Sequence, residues 1–286
     1  MMNAIDDVGV KHADDVCALP LARRLAAMLD RDPAALREGD PLPRGWHVML
    51  FNAPTGQSRL RPDGAAGLGV TLPEIGLPRL MLGGRQNRFA GDIPIGARVR
   101  RETRQGDVEM KNGRSGRFAV VKVEHRIFVE GAGAAAVVEH QEYLLREAVN
   151  RATAHVPASA STPAPAPADP QSITPDATRT LAPDEALLFR YSAITDNPHR
   201  IHYDLGYATG VEGYPALVVN GSIPAMFLLE LFRATAGREP ATFTSRNTAP
   251  MYCGRTLHLN ALKDDKSWRL WAQNEQGNTC FDARAE

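Results

Sequence analysis

The sequence is poor in cysteine, and its few cysteines are placed in a way that excludes several kinds of site. Three of the 286 residues are cysteines, namely Cys17, Cys253 and Cys280, and no two of them form a CxxC pair. An odd and widely spaced set predicts neither a disulfide framework nor a structural zinc site, and it indicates a reducing compartment.

The chain also lacks net charge, long apolar runs and a signal segment. Its 33 Lys and Arg residues balance 33 Asp and Glu residues, which argues against nucleic acid or an anionic membrane as the main partner, because both attract basic surfaces. No apolar run approaches the roughly 18 residues that a membrane span requires, and the acidic first residues include no apolar signal region. We therefore predict a cytoplasmic protein with no nucleic-acid and no membrane partner.

What is present is an ordinary globular composition, interrupted by one unusual segment. Hydrophobic residues make up 43% of the chain and charged residues 23%. Alternating Pro and Ala between Asn150 and about Thr180 favour an extended conformation over helix or sheet. We therefore predict an N-terminal repeat over residues 1–149, a linker over 150–180 and a C-terminal repeat over 181–286.

The two halves carry patterns that are typical of one α+β unit. Residues 117–129 and 136–145 alternate like two antiparallel strands, and so do residues 256–262, 268–273 and 279–285. Only the second half has a clear helix, which we predict from Ile223 to Ala234. It is apolar on nearly all sides and should be buried on most faces. An antiparallel sheet wrapped round such a helix would bury both.

A short polar stretch concentrates acid, amide and imidazole groups around Pro198. It contains Asp196, Asn197, His199 and His202. Asn197 and His202 are five residues apart, so in a loop that leads into a helical turn their side chains can converge on one water molecule. An amide or carboxylate would orient this water and the imidazole would move its proton, since histidine has a pKa near neutrality.

Two simpler interpretations of the same stretch stay open. The Asp-Asn-Pro sequence can form only a turn, with the two histidines packed beside it. His199 and His202, three residues apart, could also bind a metal together with Asp204. No third strong ligand motif accompanies them, however, and we predict no metal.

A second motif, Asn220-Gly221, comes directly before the apolar helix. Gly221 leaves its backbone N–H exposed where the helix begins, and the helix dipole adds positive potential there. Such a donor can stabilise negative charge on a carbonyl oxygen by roughly 2.7–4 kcal/mol in a transition state. Asn220 can equally be a helix cap followed by a permissive glycine, and a cap that faces a cavity can serve both purposes.

Together these segments resemble the MaoC-like hydratase/dehydratase superfamily. The closest resemblance is to its two-repeat branch, which includes itaconyl-CoA and mesaconyl-C4-CoA hydratases and mitochondrial-type 3-hydroxyacyl-thioester dehydratases. It is carried by residues 46–47, 77–85, 111–116, 189–204 and 212–221. The family implies a double hot-dog fold of the α+β class, in which antiparallel sheets each wrap round a central helix. It also implies reversible addition of water to the α,β double bond of an acyl-CoA thioester, without metal or other cofactor.

The resemblance also implies roles for individual positions. In the wider superfamily an Asp and a His five residues apart hold the water, and this spacing falls on Asn197 and His202. His202 would be the principal acid and base, and Asn197 would orient the water, with Asp196 as the alternative. Gly221 would supply the N–H for the oxyanion. Tyr203 and Asp204 would support the loop, and the substrate-binding candidates include Tyr203, His199 and Asn220, the last at a position where relatives commonly have His.

A short dicarboxylyl substrate would need a cation for its distal carboxylate. Arg85 and Arg114 are the candidates, because a guanidinium group binds a carboxylate through two parallel hydrogen bonds. Two other functions stay open: a dehydratase of fatty-acid or polyketide synthesis, and a non-catalytic hot-dog protein that binds acyl-CoA. Two repeats can form one hot-dog pair within a chain, and further pairing into a homodimer would be compatible with that.

Overall fold

The computed structural model describes residues 9–52, 55–66, 75–77, 79–113, 116–147 and 174–286. These ranges contain ten β-strands and four α-helices. The strands are β1 (Val10–Val16), β2 (Arg79–Phe89), β3 (Arg98–Gly113), β4 (Gly116–Val129), β5 (Val137–Arg146), β6 (Ala177–Leu181), β7 (Thr242–Asn247), β8 (Leu257–Asp264), β9 (Ser267–Gln273) and β10 (Thr279–Ala285). The helices are α1 (Leu19–Met28), α2 (Glu185–Ile194), α3 (Leu205–Gly210) and α4 (Ser222–Ala236).

The ten described strands form one antiparallel sheet in the order β1-β3-β4-β5-β2-β7-β10-β9-β8-β6, so each half contributes five neighbouring strands. The seam between the halves is the pairing of β2 with β7, which runs from Gly84 opposite Arg246 to Arg88 opposite Thr242. The five strands that alternation predicts are confirmed as β4, β5, β8, β9 and β10.

The long helix α4 is buried in the second half, as its apolar composition predicts. Ten of its fifteen residues are buried, and it packs against β6, β8, β9 and β10. It ends at Gly237, whose left-handed backbone (φ 67°) closes the last turn. The helix predicted over 223–234 is therefore confirmed and is slightly longer at both ends.

The described residues of the first half carry no comparable long helix, which agrees with the sequence pattern. Helix α1 is shorter and packs against α2 and the helical turn Trp46–Met49. One face of β3, β4 and β5 instead carries buried polar side chains, which are Thr103, His125, Glu139 and Gln141. These groups satisfy one another, since Thr103 is hydrogen-bonded to His125 (2.9 Å) and Gln141 donates to Glu139 (2.8 Å).

Most of the predicted linker over 150–180 lies outside the described residues, but its end is corrected. Ala177–Leu181 is a strand, β6, and it pairs with β8 from Ala177 opposite Ala261 to Leu181 opposite Leu257. Residues 177–180 therefore belong to the sheet of the second half. No helix of the described chain is long and apolar enough to cross a membrane.

Candidate active site

A cavity of about 400 Å³ lies between the two halves and takes lining residues from both. The predicted site residues that line it are Arg85, Asp196, Asn197, His199, His202, Asn220 and Gly221. Tyr203 does not belong to this lining: it follows the turn that points His202 inward, and it is 53% exposed. Its predicted role in substrate binding is therefore not supported. Arg114 lies outside the described residues.

The loop after α2 is fixed by its own backbone. Asp196 is exposed and takes the left-handed conformation (φ 44°), which short polar residues tolerate. The N–H of Asn197 then donates to the carbonyl of Ser192 (2.9 Å). The Asn197 Oδ1 in turn accepts from the N–H of His199 (3.2 Å). Asn197 is thus held in a tight turn, with its side-chain oxygen used by the loop itself.

A segment of the first half, residues 61–66, supports this loop; we call it the brace. The N–H of Arg200 donates to the carbonyl of Asp63 in the brace (2.8 Å). Gly64 has φ 85° and lies so close to the carbonyl of Pro198 that a Cβ there would collide with it. The position of the loop therefore depends on both halves of the chain.

Asp204 connects the loop to α3. Its Oδ2 accepts from the guanidinium group of Arg200 (2.8 Å), and its Oδ1 accepts from the N–H of Tyr207 in the first turn of α3 (2.9 Å). Both carboxylate oxygens thus hold the loop, as the resemblance implies. Within the described ranges, no three His, Cys, Asp or Glu side chains are grouped as a metal site would require.

His202 is buried, and the backbone determines which of its ring nitrogens carries the proton. Its Nδ1 lies 2.7 Å from the carbonyl oxygen of Val218. Because a carbonyl oxygen can only accept, Nδ1 carries the hydrogen and Nε2 keeps its lone pair. Burial lowers the pKa of His202 to about 4, against a smaller opposite effect of the Val218 hydrogen bond. The ring is therefore neutral at pH 7, with a basic nitrogen in the cavity wall.

Asn220 is oriented toward that basic nitrogen. Its Oδ1 accepts from the N–H of Ser222 (3.0 Å), so its NH₂ group points the other way and lies 3.5 Å from Nε2 of His202. A donor and acceptor at this separation interact only weakly. The lone pair of His202 is therefore accessible to a water molecule that both side chains can contact.

Gly221 lies at the start of α4, where the side chain of Asn247 leaves no space for a Cβ. A Cβ at position 221 would lie 2.6 Å from the Oδ1 of Asn247. Asn247 is itself anchored through its Nδ2, which donates to the carbonyl of Leu82 in β2 (3.3 Å). The N–H of Gly221 has no partner among the described residues. It is thus a donor at a helix N-terminus, in the wall of the same cavity as His202.

His199 packs beside His202 without a shared hydrogen bond. The two ring centroids are 5.5 Å apart and the planes are nearly perpendicular, at 85°. Burial is the main cause of the lowered pKa of His199, and the negative charges of Asp63 and Glu212 oppose it. His199 therefore contributes a second neutral ring to the cavity wall.

Arg85 is held in the cavity wall by a buried polar network. Its Nε lies 3.3 Å from Oε1 of Glu139, whose Oε2 lies 3.3 Å from Nε2 of His47. Gln141 donates to Oε1 of Glu139 (2.8 Å) and accepts from the hydroxyl of Tyr143. Burial acts to raise the pKa of Glu139, but the charge of Arg85 and the hydrogen bond from His47 outweigh it and keep that pKa low. Arg85 is consequently a fixed cation with an ionised partner.

Several lining residues are not indicated by the sequence: Arg79, Tyr143, Arg146, Tyr191, Glu212 and Asn247. Arg79 and Glu212 form an ion pair across the two halves, with Nε and Oε2 2.8 Å apart. Arg79, Tyr191 and Glu212 lie inside segments that carry the resemblance, and that is the signal that could have indicated them. The others become neighbours only through strand pairing.

Comparisons with known proteins show which family the sequence matches. The family model described as hydroxyacyl-thioester dehydratase type 2 matches residues 45–253. Mesaconyl-C(4)-CoA hydratase of Chloroflexus aurantiacus is 37% identical over 273 residues, which cover 96% of this chain and 93% of that protein.

Two solved structures from Mycobacterium tuberculosis have the same fold. HtdX superposes with a TM-score of 0.67 at 16% identity, over 98% of this chain and 99% of its own. A conserved hypothetical protein described as having a double hotdog fold superposes with a TM-score of 0.59 at 14% identity, over 98% and 96% of the two chains. The predicted double hot-dog fold is therefore confirmed.

Proposed function

We propose that this chain, which belongs to the hydroxyacyl-thioester dehydratase type 2 family, adds water to the α,β double bond of an enoyl-CoA thioester and removes it in the reverse reaction. The observation that carries this proposal is the pairing of a neutral, buried His202 with the N–H of Gly221 in one cavity. The first group can exchange a proton with water, and the second can bind the oxygen on which charge develops.

In the hydration direction, the thioester carbonyl oxygen accepts from the N–H of Gly221. Electron density moves toward this oxygen as the water oxygen bonds to Cβ, and Nε2 of His202 takes a proton from the water. The imidazolium then returns that proton to Cα and the carbonyl re-forms, so one water has been added. The donor at the helix start is worth roughly 2.7–4 kcal/mol in the transition state, and the acid/base group about 10²–10⁴-fold in rate.

Asn197 and Asn220 orient the water in this scheme. An amide cannot take up a proton, so both proton transfers fall to His202. The NH₂ group of Asn220, 3.5 Å from Nε2 of His202, can donate to the same water oxygen. Asn197 is preferred to Asp196 as the second water-orienting group, because Asp196 is exposed while Asn197 is partly buried in the loop.

The substrate is a short dicarboxylyl thioester, such as mesaconyl-C4-CoA or itaconyl-CoA, whose distal carboxylate Arg85 binds. Arg85 is held against Glu139 in the cavity wall, so its guanidinium group is positioned before the substrate arrives. The Chloroflexus relative is a mesaconyl-C(4)-CoA hydratase by name, which supports this choice. Arg114, outside the described residues, stays the alternative cation.

A dehydratase acting on 3-hydroxyacyl thioesters with monocarboxylic chains is the second candidate. The description of the family model names a hydroxyacyl-thioester dehydratase, and the same His202 and Gly221 would catalyse that reaction. The two candidates differ in the acyl group rather than in the chemistry, so a substrate panel separates them.

Purified protein should be assayed with mesaconyl-C4-CoA, itaconyl-CoA and crotonyl-CoA. We expect loss of the absorbance of the conjugated thioester together with a mass gain of one water, and a higher kcat/KM for the dicarboxylyl substrates. Preference for crotonyl-CoA would favour the second candidate. Absence of turnover on every thioester would contradict the proposed function and leave a non-catalytic acyl-CoA-binding protein.

Replacing the proposed acid/base is the most direct mutational test. His202→Ala should lower kcat by about 10²–10⁴-fold, because the water beside Asn220 then loses the base proposed to take its proton. His140→Ala is the matched control, since His140 is 53% exposed on β5 and its loss should leave kcat unchanged. A His202→Ala protein that is folded by circular dichroism and as active as the wild type would refute the assignment.

A further inference from the structure

A second basic group lines the cavity, and the reaction proposed above does not use it. Arg79 on β2 and Arg146 on β5 are direct cross-strand partners, and Arg146 is only 9% exposed. Arg79 is paired with Glu212 (2.8 Å) and donates to the hydroxyl of Tyr214 (3.2 Å). We call Arg79 and Arg146 the arginine pair.

The two guanidinium groups of the arginine pair repel each other. The pKa of Arg146 is lowered, first by burial and next by the charge of Arg79, while the Tyr214 hydroxyl acts in the opposite direction. An anion bound beside both groups would relieve this repulsion and would gain charge-assisted hydrogen bonds in a partly buried site.

The arginine pair and Arg85 lie on opposite faces of the sheet. Arg85 is opposite Gln141, and Arg79 is opposite Arg146. Gln141 and Arg146 are five positions apart on β5, and side chains alternate between faces along a strand, so the two residues point to different faces. Along β2, the six positions from Arg79 to Arg85 span roughly 17–20 Å.

The cavity passes from one face to the other at the edge of β2. The described strand pairing of β2 with β7 starts at Gly84, so before Gly84 the backbone of β2 is not paired with β7 and is contacted there by the side chain of Asn247. The cavity lining follows this stretch through Leu80, Met81, Leu82 and Gly83. A long, thin ligand can therefore lie across the edge with one end on each face.

The groups proposed for catalysis lie between the two basic positions. Asn247 covers Gly221 and donates to the carbonyl of Leu82 (3.3 Å), which places the oxyanion donor beside β2 between Arg79 and Arg85. A thioester bound at Gly221 would extend its acyl group toward Arg85. Its carrier arm would then extend along β2 toward the arginine pair.

We propose that Arg79 and Arg146 bind a phosphate group on the carrier arm of the thioester, while Arg85 binds the acyl end. This inference rests on the proposed function. Guanidinium groups suit a phosphate because their N–H groups donate to its oxygens in a fixed planar geometry. Arg79 has N–H groups for this besides those that donate to Glu212 and Tyr214. The distal carboxylate of the acyl group already has a cation in Arg85, whereas the phosphates at the other end of the substrate have none in the scheme above.

The test compares mesaconyl thioesters of CoA, of 4′-phosphopantetheine and of pantetheine, which has no phosphate. For Arg146→Met we expect kcat/KM to fall roughly 10- to 100-fold with the phosphate-bearing thioesters, the loss typical of a hydrogen bond to a charged group, and to stay unchanged with the pantetheine thioester. A fall with CoA and phosphopantetheine would identify the 4′-phosphate, which carrier proteins share. A fall with CoA alone would identify a phosphate of its nucleotide part.

Arg85→Met provides the complementary arm. It should reduce the preference for mesaconyl over crotonyl thioesters equally for all three carriers, whereas Arg146→Met should not change that preference. Arg88→Met, at an exposed position of β2, is the control for a lost surface charge. Arg146→Lys keeps the charge but loses the bidentate geometry, so its loss of kcat/KM with the phosphate-bearing thioesters should be smaller than that of Arg146→Met. This variant tests the proposal even if Arg146→Met folds poorly.

Two results would overturn the proposal. One is an equal loss of kcat/KM with all three carriers, and the other is a loss that follows the acyl carboxylate instead of the carrier. Both differ from failure of the proposed function, in which the wild-type protein would turn over none of these thioesters.

Discussion

Gly221 lies where the chain enters α4, and the Asn247 side chain occupies the place that a Cβ would take. At the scale of single residues this contact connects the two proposed parts of catalysis. Asn247 is anchored on β2 through the carbonyl of Leu82 (3.3 Å), and Asn220, next to Gly221, lies beside His202 (3.5 Å). A change of one carbon atom at position 221 therefore disturbs both the oxyanion donor and the water-orienting amide.

Gly221→Ala tests this dependence. The added Cβ must displace Asn247 or the start of α4, so we expect kcat to fall about 10²-fold or more, the usual loss when one oxyanion donor is removed. KM should change less, because Arg85 and the arginine pair are untouched. Gly210→Ala is the control, since nothing lies within 4 Å of a Cβ there. A Gly221→Ala enzyme with wild-type kcat would contradict the role of this N–H.

The local part of the site is predictable from sequence, whereas the distant part is not. Asn197, His202 and Gly221 lie in short segments that the residue types single out and to which the resemblance gives roles, and all three line the cavity. Asn247 and Arg146 carry no such signal. They reach the cavity through the β2–β7 and β2–β5 registers, which depend on the packing of the whole sheet.

At the scale of elements, the brace connects the first half to the loop that carries His202. Its contacts are the hydrogen bond from Arg200 to the carbonyl of Asp63 (2.8 Å) and the close approach of Gly64 to Pro198. The loop can thus move only if the brace moves with it. Correct placement of His202 is therefore a property of both halves, although the residue itself belongs to the second.

Gly64→Ala separates this effect from backbone strain. A left-handed residue other than glycine costs roughly 1–2 kcal/mol, and Gly39 has nearly the same φ (86° against 85°) with nothing within 4 Å of a Cβ. Gly39→Ala should lose about this much stability in thermal unfolding and Gly64→Ala should lose more, because its Cβ also meets the carbonyl of Pro198. Only Gly64→Ala should also lose kcat, by about tenfold or more, because a 1 Å misplacement of a catalytic group can cost 10²-fold. Equal kcat values for the two variants would show that the brace does not position the loop.

The elements that sequence analysis predicted are those whose apolar residues mark a buried face. β4 and β5 alternate between more and less buried positions, whereas β8, β9 and β10 carry apolar residues that are buried on much of both faces. β2 and β3 show neither pattern, since β2 carries arginines on both faces and most of β3 is exposed. Helix α2 was not predicted, although its N-cap residue Asp184 is a sequence signal for the start of a helix. In the structure the Oδ1 of Asp184 accepts from the N–H of Leu187 (2.8 Å).

At the scale of the whole molecule, two buried neutral histidines should make stability depend on pH. Burial lowers the pKa of His125 and of His202 to about 4, compared with 6.5 when exposed. As the pH falls below 6.5, the unfolded chain binds protons that the folded chain does not. The free energy of unfolding should therefore be largest above pH 6.5 and should fall steadily toward pH 4.

Denaturant unfolding at pH 7, 6 and 5 measures how steeply the free energy of unfolding changes with pH. This range lies above the ordinary pKa of carboxyl groups, so histidines dominate the change. Each histidine contributes up to about 1.4 kcal/mol per pH unit. His125→Gln should reduce the slope, and His140→Gln, at an exposed position, should leave it unchanged. A stability that is the same at pH 7 and pH 5 would contradict the neutral, buried state of both rings.

The homodimer stays a prediction, which light scattering of the same samples would test.

The seam between β2 and β7 has a further consequence for how this protein responds to its ligand. Among the described residues its strand ladder is short, from Gly84 to Arg88 of β2, and the cavity is built from groups on both sides. Opening the seam would therefore destroy the binding site, so a bound thioester and an intact seam are thermodynamically linked. Saturating ligand at 100 times its Kd would stabilise the joined halves by about 2.7 kcal/mol, so the substrate itself helps to hold the two repeats together.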